Sequence, residues 1–227
     1  MDKSIWELKK MYVDGNFTDV VVLPMWTARM EILSADVKKF RRLFHLRSDV
    51  LELVKKTITG VLASASITGE VSLVGVHVRR NDYHSLLIQI LGNNVSFATR
   101  GYFKRAMKKM RKLSPDTPVV FVVVSDDREW CMKELVNERE GVFWGGMEKS
   151  PFHDPSETQN TLIQPSHDFA LLASLNGSII SYGTYAPAGA LLAGGHTIMY
   201  DLQEPVFSNR LNLFTVGKYL ENWDMVS

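Results

Sequence analysis

A run of apolar, largely β-branched residues at positions 71–78 limits what this chain can fold into more than any other stretch. Runs of this length and composition are typical of strands that lie buried on both faces of a parallel sheet. The run contains His77 and passes directly into Arg79, Arg80 and Asp82. Because ligands of open α/β sheets bind beyond the carboxyl ends of the strands, these polar residues are candidates for a binding site.

The two arginines at this strand end have two possible roles. Their planar, forked guanidinium groups match phosphate oxygens, so Arg79 and Arg80 could clamp a diphosphate. Equally, Asp82 could hold either arginine in a local ion pair that merely stabilises the end of the strand. The spacing of the residues favours neither interpretation, and both stay open at this point.

From residue 71 onward, predicted strands alternate with predicted helices. The strands are expected at 71–78, 119–124, 141–144, 178–181 and 197–200, and the helices at 97–113, 127–137, 167–175 and 185–193. This alternation predicts an α/β fold, with a Rossmann-type parallel sheet and helices on both of its faces. Residues 84–95 are expected to form a loop.

The stretch before the sheet is expected to be mainly helical. An amphipathic helix is predicted at about 29–46, and a second helix at 50–59 that ends at Gly60. The composition changes near Gly69. We therefore expect three regions, namely a mainly helical part at 1–69, a Rossmann-like domain at 70–204, and a tail at 205–227 with at most a short helix near 215–223.

The composition excludes several classes of protein. The 227 residues carry a formal net charge of +1, which argues against a protein that binds nucleic acid over a large surface. The single cysteine, Cys131, rules out an intrachain disulfide framework and a thiolate metal cluster. No apolar run reaches the roughly 20 residues of a membrane span. The histidines lack metal-ligand spacing, and no glycine-rich phosphate loop is present, so a phosphate site would have to be built on arginines.

Polar residues also follow two other predicted strands and open one helix. Ser125, Asp126 and Asp127 follow one strand, Ser181, Tyr182, Gly183 and Thr184 follow another, and Asp168 opens a helix. The carboxyl ends of parallel strands share one edge, so the polar groups that follow the strands should converge, as in a nucleotide site. Each also has a simpler interpretation, because Asp, Ser and Thr at helix starts commonly do no more than cap the helix.

Several of these stretches resemble the motifs of one family. Residues Val74–Tyr83 (VGVHVRRNDY) resemble its first motif, usually an HVRRGDY-type sequence, and Phe121–Cys131 (FVVVSDDREWC) resemble its second. Residues Asp168–Gly195 resemble the third motif, and His196–Tyr200 continue it. The family is that of the galactoside 2-alpha-L-fucosyltransferases, glycosyltransferase family 11. The resemblance covers roughly residues 70–202, with the motifs in order.

The resemblance implies a GT-B-like architecture in which the C-terminal half holds GDP-fucose. It implies inverting transfer of L-fucose to the 2-hydroxyl of a galactose-terminated glycan, with neither a cofactor nor an obligatory metal, and no nucleic-acid partner. It also implies a lumenal place at the Golgi membrane. Family members usually begin with a membrane anchor and a glycine- and asparagine-rich segment, which this sequence lacks. We therefore expect a chain that corresponds to the family without its start, and membrane association only through an anchor upstream of it.

The resemblance also implies roles for individual residues. Arg79 would hold the β-phosphate and act as a catalytic residue, and Asp82 is a candidate general base, although an arginine partner would weaken it as a base. The implied donor-binding residues are His77, Arg79, Arg80, Ser125, Asp126, Asp168, Ser181 and Thr184. Among these, Asp168 would contact guanine, residues 181–184 would face the pyrophosphate, and Arg80 and Asp82 would brace the arginine motif.

Two departures from the family pattern bear on these roles. Asn81 stands where glycine is usual, which would restrict the loop unless Asn81 adopts a left-handed conformation. The stretch after Thr184, Tyr185-Ala-Pro-Ala-Gly, lacks an aromatic pair that is common there. The missing N-terminal segment supports an alternative function, that of a catalytically inactive, truncated relative that binds only GDP or glycan.

Overall fold

The computed structural model describes residues 37–147, 163–202 and 220–227, and these build a six-stranded, entirely parallel sheet. The strands are β1 (Ser72–Val78), β2 (Val119–Ser125), β3 (Val142–Trp144), β4 (Gly177–Ile180), β5 (His196–Tyr200) and β6 (Trp223–Val226). Their order, β3-β2-β1-β4-β5-β6, reverses direction between β1 and β4. This is the doubly wound order of Rossmann sheets. The predicted α/β class with a Rossmann-type parallel sheet is confirmed.

Helices cover both faces of the sheet. They are α1 (Val37–Leu43), α2 (Ser48–Ala65), α3 (Asn81–Leu91), α4 (Arg100–Leu113), α5 (Arg128–Glu134), α6 (Ile163–Ala173) and α7 (Tyr185–Ala193), with a short 3-10 helix at Glu138–Glu140. One core lies between the sheet and α3, α4 and α5, and the other between the sheet and α2, α6 and α7. The expectation of a mainly helical stretch before β1 holds for the described residues 37–69.

Strand β1 shows how side-chain alternation assigns residues to the two faces. Val74, Val76 and Val78 point into the core under α3, α4 and α5. Gly75 and His77 therefore face α6 and α7. At Gly75 a Cβ atom would lie 2.7 Å from Leu172 Cδ2, so the absence of a side chain lets α6 approach the sheet closely. This close approach places His77 at the opening between β1, α6 and α7.

The predicted loop at 84–95 is wrong, because residues 81–91 form helix α3. The carboxylate of Asp126, at the end of β2, accepts hydrogen bonds from the backbone N–H groups of Arg80 (3.0 Å) and Asn81 (3.2 Å). These contacts satisfy N–H groups that would otherwise lack a partner at the helix start. Gly92, with φ +88°, ends the helix. A cap that lies 45 residues away in the sequence leaves no local signal.

The tail and the N-terminal helices also differ from expectation. Residues Trp223–Val226 form strand β6 beside β5, whereas a short helix at most was expected there. Trp223 is buried against the core under α2, α6 and α7, and this burial stabilises the pairing. Most of the helix predicted at 215–223 lies outside the described residues. Helix α2 does not end at Gly60, as predicted, but continues to Ala65. It ends there because Ser66, with φ +53°, adopts the left-handed conformation.

The other boundaries deviate less. Within the described part of the predicted helix at 29–46, residues 37–43 are helical, and α6 begins at Ile163 rather than near 167. Across the described residues, none of the helices is both long enough and apolar enough to cross a membrane.

Candidate functional site

A cavity of about 460 Å³ opens at the carboxyl ends of β1, β2 and β4, where the strand order reverses. Open α/β sheets bind their ligands at this kind of position. Six of the predicted site residues line the cavity, namely His77, Arg79, Ser125, Asp126, Asp168 and Thr184. The remaining lining residues are Tyr83, Val124, Gln164, Pro165, Tyr182, Gly183 and Tyr185. The predicted convergence of the strand ends is therefore present.

Arg79 is attached to the sheet through its backbone and reaches the cavity with its side chain. Its backbone N–H donates a 3.0 Å hydrogen bond to Ser181 Oγ, which joins the ends of β1 and β4. Its guanidinium lies 2.7 Å from Asp82 Oδ1 and 3.4 Å from Asp126 Oδ2. The Arg79 side chain nevertheless stays 33% exposed. The ion pair considered above is thus present, and the guanidinium still borders the cavity.

The two arginines are not equivalent. Arg80 does not line the cavity. Its Nε donates to Asp127 Oδ2 over 3.0 Å, and its guanidinium lies 4.2 Å from the ring centre of Trp130. Asp127 Oδ1 in turn accepts from the backbone N–H of Trp130 and caps helix α5. Arg80 therefore braces the junction between β2 and α5, while Arg79 faces the open space.

Asn81 fits its position without strain. Ser66 is the one described residue other than glycine with positive φ, so Asn81 does not need the left-handed conformation. Instead it begins helix α3, and its side-chain amide donates a 2.6 Å hydrogen bond to the carbonyl oxygen of Asp126. The asparagine therefore adds a second link between α3 and the end of β2.

His77 forms part of the cavity wall as an uncharged ring. Burial, assisted by the nearby charge of Arg79, lowers the pKa of His77 to about 3. Its Nδ1 has no hydrogen-bond partner among the described residues, and its ring lies 5.4 Å from that of Tyr185. At neutral pH, His77 can therefore offer a ligand a hydrogen bond but no positive charge.

Asp168 reaches the cavity from the middle of α6, not from a helix start as predicted, because α6 begins at Ile163. A buried histidine holds its carboxylate there. His167 Nδ1 lies 2.9 Å from Asp168 Oδ1, and His167 Nε2 lies 2.9 Å from the hydroxyl of Thr57 on α2. Burial raises the pKa of Asp168, and the hydrogen bond with His167 opposes that shift. The place of Thr57 and His167 beside the site was not predictable from the sequence, because 110 residues separate them and no local pattern joins them.

The turn after β4 completes the cavity wall. Ser181 is fully buried and lies beneath the cavity, where its hydroxyl also bonds the carbonyl oxygen of His77 (3.4 Å). Thr184 precedes α7, and its hydroxyl makes no capping hydrogen bond, so it is available to a ligand. Gly183 has φ +99° and lies under the hydroxyl of Tyr83. Tyr83 itself stacks on Tyr182, with ring centres 5.6 Å apart.

Asp82 stands outside the cavity lining, and its side chain is 65% exposed. Its carboxylate lies in the first turn of α3, where it faces Arg79. In the described part of the chain, no three His, Cys, Asp or Glu residues cluster in a way that could hold a metal ion. The charged groups bordering the cavity are Arg79, Asp126 and Asp168.

The sequence is similar to several fucosyltransferases. It is 34% identical to mouse galactoside alpha-(1,2)-fucosyltransferase 2 over 96% of this chain and 57% of that protein. It is 32% identical to mouse galactoside 2-alpha-L-fucosyltransferase Sec1 over 85% of this chain and 46% of that protein. The chain thus spans about half the length of these relatives.

A weaker likeness exists to a solved structure, that of NodZ alpha-1,6-fucosyltransferase soaked with GDP-fucose. The TM-score is 0.45 and the identity 21%, over 72% of this chain and 48% of that one. The model of the family described as glycosyl transferase family 11 matches residues 11–226. Since that match covers nearly the whole sequence, the chain belongs to glycosyl transferase family 11.

Proposed function

We propose that the chain transfers L-fucose from GDP-fucose to the 2-hydroxyl of a galactoside, with inversion at the sugar carbon. The proposal rests on family membership and on one feature of the site, the guanidinium of Arg79 at the cavity between β1 and β4. The galactoside fucosyltransferases among its relatives support the acceptor class. A lumenal location at the Golgi membrane belongs to the same proposal.

Arg79 is suited to receive a diphosphate because its carboxylate partner can be displaced at small cost. Asp82 is 65% exposed, and ion pairs between exposed groups contribute at most about 1 kcal/mol. A diphosphate offers the same bidentate geometry with a larger charge. The β-phosphate would therefore replace Asp82 at Nη2, while Asp126 continues to hold the other side of the guanidinium.

The reaction makes specific demands on these residues. The oxygen of the acceptor hydroxyl attacks the anomeric carbon of fucose and gives up its proton to a general base. The bond from that carbon to the β-phosphate oxygen breaks, and GDP leaves with the electron pair. Negative charge grows on the diphosphate as the bond breaks. A fixed guanidinium stabilises this charge in the transition state without needing a metal ion, an effect typically worth a few kcal/mol. The hydroxyl of Thr184, directly before α7, would add a hydrogen bond to the pyrophosphate.

Substitution of Arg79 tests the proposal. We expect Arg79→Ala to lower kcat/KM for transfer to a lactose-type acceptor by about 100-fold or more, because the leaving group loses its charge partner. Arg79→Lys should give an intermediate value, since a lysine keeps the charge but not the forked geometry. Arg105→Ala is the control, because Arg105 bonds the carbonyl of Ser227 and does not line the cavity.

Two measurements separate this function from its alternative. Linkage analysis of the product establishes whether fucose is attached at the 2-hydroxyl. Calorimetric titration with GDP establishes binding independently of turnover. GDP binding that depends on Arg79 without any transfer would identify an inactive relative. Unchanged transfer kinetics in Arg79→Ala would refute the role assigned to this arginine.

A further inference from the structure

Three side chains form a chain of hydrogen bonds that runs from the half-buried Thr57 on helix α2 to the cavity. Thr57 Oγ1 lies 2.9 Å from His167 Nε2, and His167 Nδ1 lies 2.9 Å from Asp168 Oδ1. His167 is fully buried, and Asp168 is 7% exposed where it borders the cavity. The chain therefore links a helix from the N-terminal part of the sequence to a carboxylate in the wall of the site.

When Asp168 is ionised, the donor and acceptor groups of the three side chains define the direction of both hydrogen bonds. An ionised carboxylate only accepts, so His167 Nδ1 carries the proton and donates to Asp168. In the neutral ring Nε2 is then an acceptor, and the Thr57 hydroxyl donates to it. The threonine thus selects the tautomer that the carboxylate requires. In this geometry Thr57 orients the imidazole ring of His167, and the ring orients the carboxylate of Asp168.

We propose that Thr57 and His167 are positioning residues that hold the Asp168 carboxylate as a two-point acceptor for the N–H edge of a guanine base. This inference rests on the proposed function and on the contact between Asp168 and guanine that the family resemblance implies. One carboxylate oxygen is engaged by His167, which stops the group from rotating. Guanine offers two parallel donors, N1–H and the 2-amino group, which a carboxylate in a fixed orientation can accept together.

The energetic need for this support follows from burial. The backbone N–H of Met147 also stabilises the Asp168 carboxylate, but more weakly than His167 does. A buried carboxylate that has lost its main hydrogen-bond donor tends to take up a proton or turn away. A protonated carboxyl group gains a donor and loses acceptor capacity, so it no longer matches two N–H groups. Recognition of the base therefore depends on residues that do not touch it.

The test compares GDP with inosine diphosphate, which lacks the 2-amino group. Calorimetric dissociation constants for both nucleotides are measured on the full chain. We expect the wild type to prefer GDP by about tenfold or more, because one charge-assisted hydrogen bond is missing with inosine diphosphate. Thr57→Val should reduce this preference about threefold, and His167→Leu should nearly abolish it.

Two conservative variants serve as controls. Thr57→Ser keeps the hydroxyl and should retain the preference for GDP. His167→Asn places an amide nitrogen close to the position of Nδ1 and should retain more of the preference than His167→Leu. If His167→Leu does not fold, the pair Thr57→Val and Thr57→Ser carries the test, since valine and threonine have nearly the same shape.

The results separate the positioning role of Thr57 and His167 from the proposed function. A purely structural role would weaken the binding of both nucleotides equally and leave their ratio unchanged, which would overturn the inference and leave the proposed function intact. No GDP binding by the wild type would overturn the proposed function itself, and the inference with it. A loss of the GDP preference in Thr57→Val, restored in Thr57→Ser, would establish the positioning role.

Discussion

Arg79 stands between two carboxylates, and this residue-scale arrangement decides how the site can work. Asp126 also caps helix α3 through the backbone N–H groups of Arg80 and Asn81, so it is fixed in place. Asp82 has no second partner of this kind and lies largely in solvent. The more easily displaced partner is therefore Asp82, and its exchange for a phosphate is the step by which Arg79 would bind the diphosphate.

The role of Asp82 as a general base stays a prediction, and one substitution separates it from the role of a displaceable partner. If Asp82 is the base, Asp82→Asn should lower kcat by about 100-fold or more. Because the carboxylate points at Arg79 and lies outside the cavity lining, we expect instead that kcat changes only a few-fold. GDP should bind about two- to fivefold more tightly, since a competing negative charge is gone. Calorimetry and initial-rate kinetics on the same preparation give both values.

At the scale of elements, the turn between β4 and α7 is set by Gly183. Its φ of +99° is rarely adopted by residues with a side chain, and an added Cβ atom would lie 3.0 Å from the hydroxyl oxygen of Tyr83. We expect Gly183→Ala to lower the free energy of unfolding by about 1–3 kcal/mol, measured by urea denaturation. Weaker GDP binding should accompany this loss, because Thr184 follows directly.

Gly60 provides the matched control for this glycine. It lies inside α2 with no atom within 4 Å of an added Cβ. There alanine is the better helix former, so Gly60→Ala should leave stability unchanged or raise it by up to about 1 kcal/mol. Equal losses in the two variants would show that the turn conformation is not what constrains Gly183.

The elements differ in how far the sequence could predict them. Strands β1 and β2 were predictable because most of the seven residues in each are apolar and β-branched, a pattern visible within one short window. Helix α3 was not, since its start depends on a carboxylate from another strand. The same distinction, between local patterns and contacts of distant residues, applies to the residues of the site. Arg79 was recognisable from its place directly after a strand, whereas Asp168 lies in the middle of α6 rather than at the helix start that was expected. Thr57 and His167 meet only through the packing of α2 on α6.

At the scale of the whole molecule, the buried His77 makes stability depend on pH. Its pKa is about 3 in the folded state, against an ordinary value near 6.5 when unfolded. Between pH 6.5 and about pH 3, His77 is therefore protonated in the unfolded chain but neutral in the folded one. The free energy of unfolding falls by about 1.4 kcal/mol per pH unit over this range. Above pH 6.5 this contribution is constant.

His77→Leu isolates the effect. Between pH 7 and pH 5, urea denaturation should show that the wild type loses about 2 kcal/mol more than the variant, because leucine cannot be protonated. Parallel losses in the two proteins would mean that His77 becomes protonated in the folded state as readily as in the unfolded one. The comparison cancels the contributions of the other titratable groups that both proteins share.

The lengths of the strands have a consequence for association between molecules. The inner strands β1 and β2 have seven residues each, whereas β3 and β6, which flank the described sheet, have three and four. A short outer strand offers few unpaired backbone groups as a template for another chain. Strand β6 also carries Asp224, whose carboxylate is held by Lys109 and His196. Within the described sheet, such edges discourage association by strand addition.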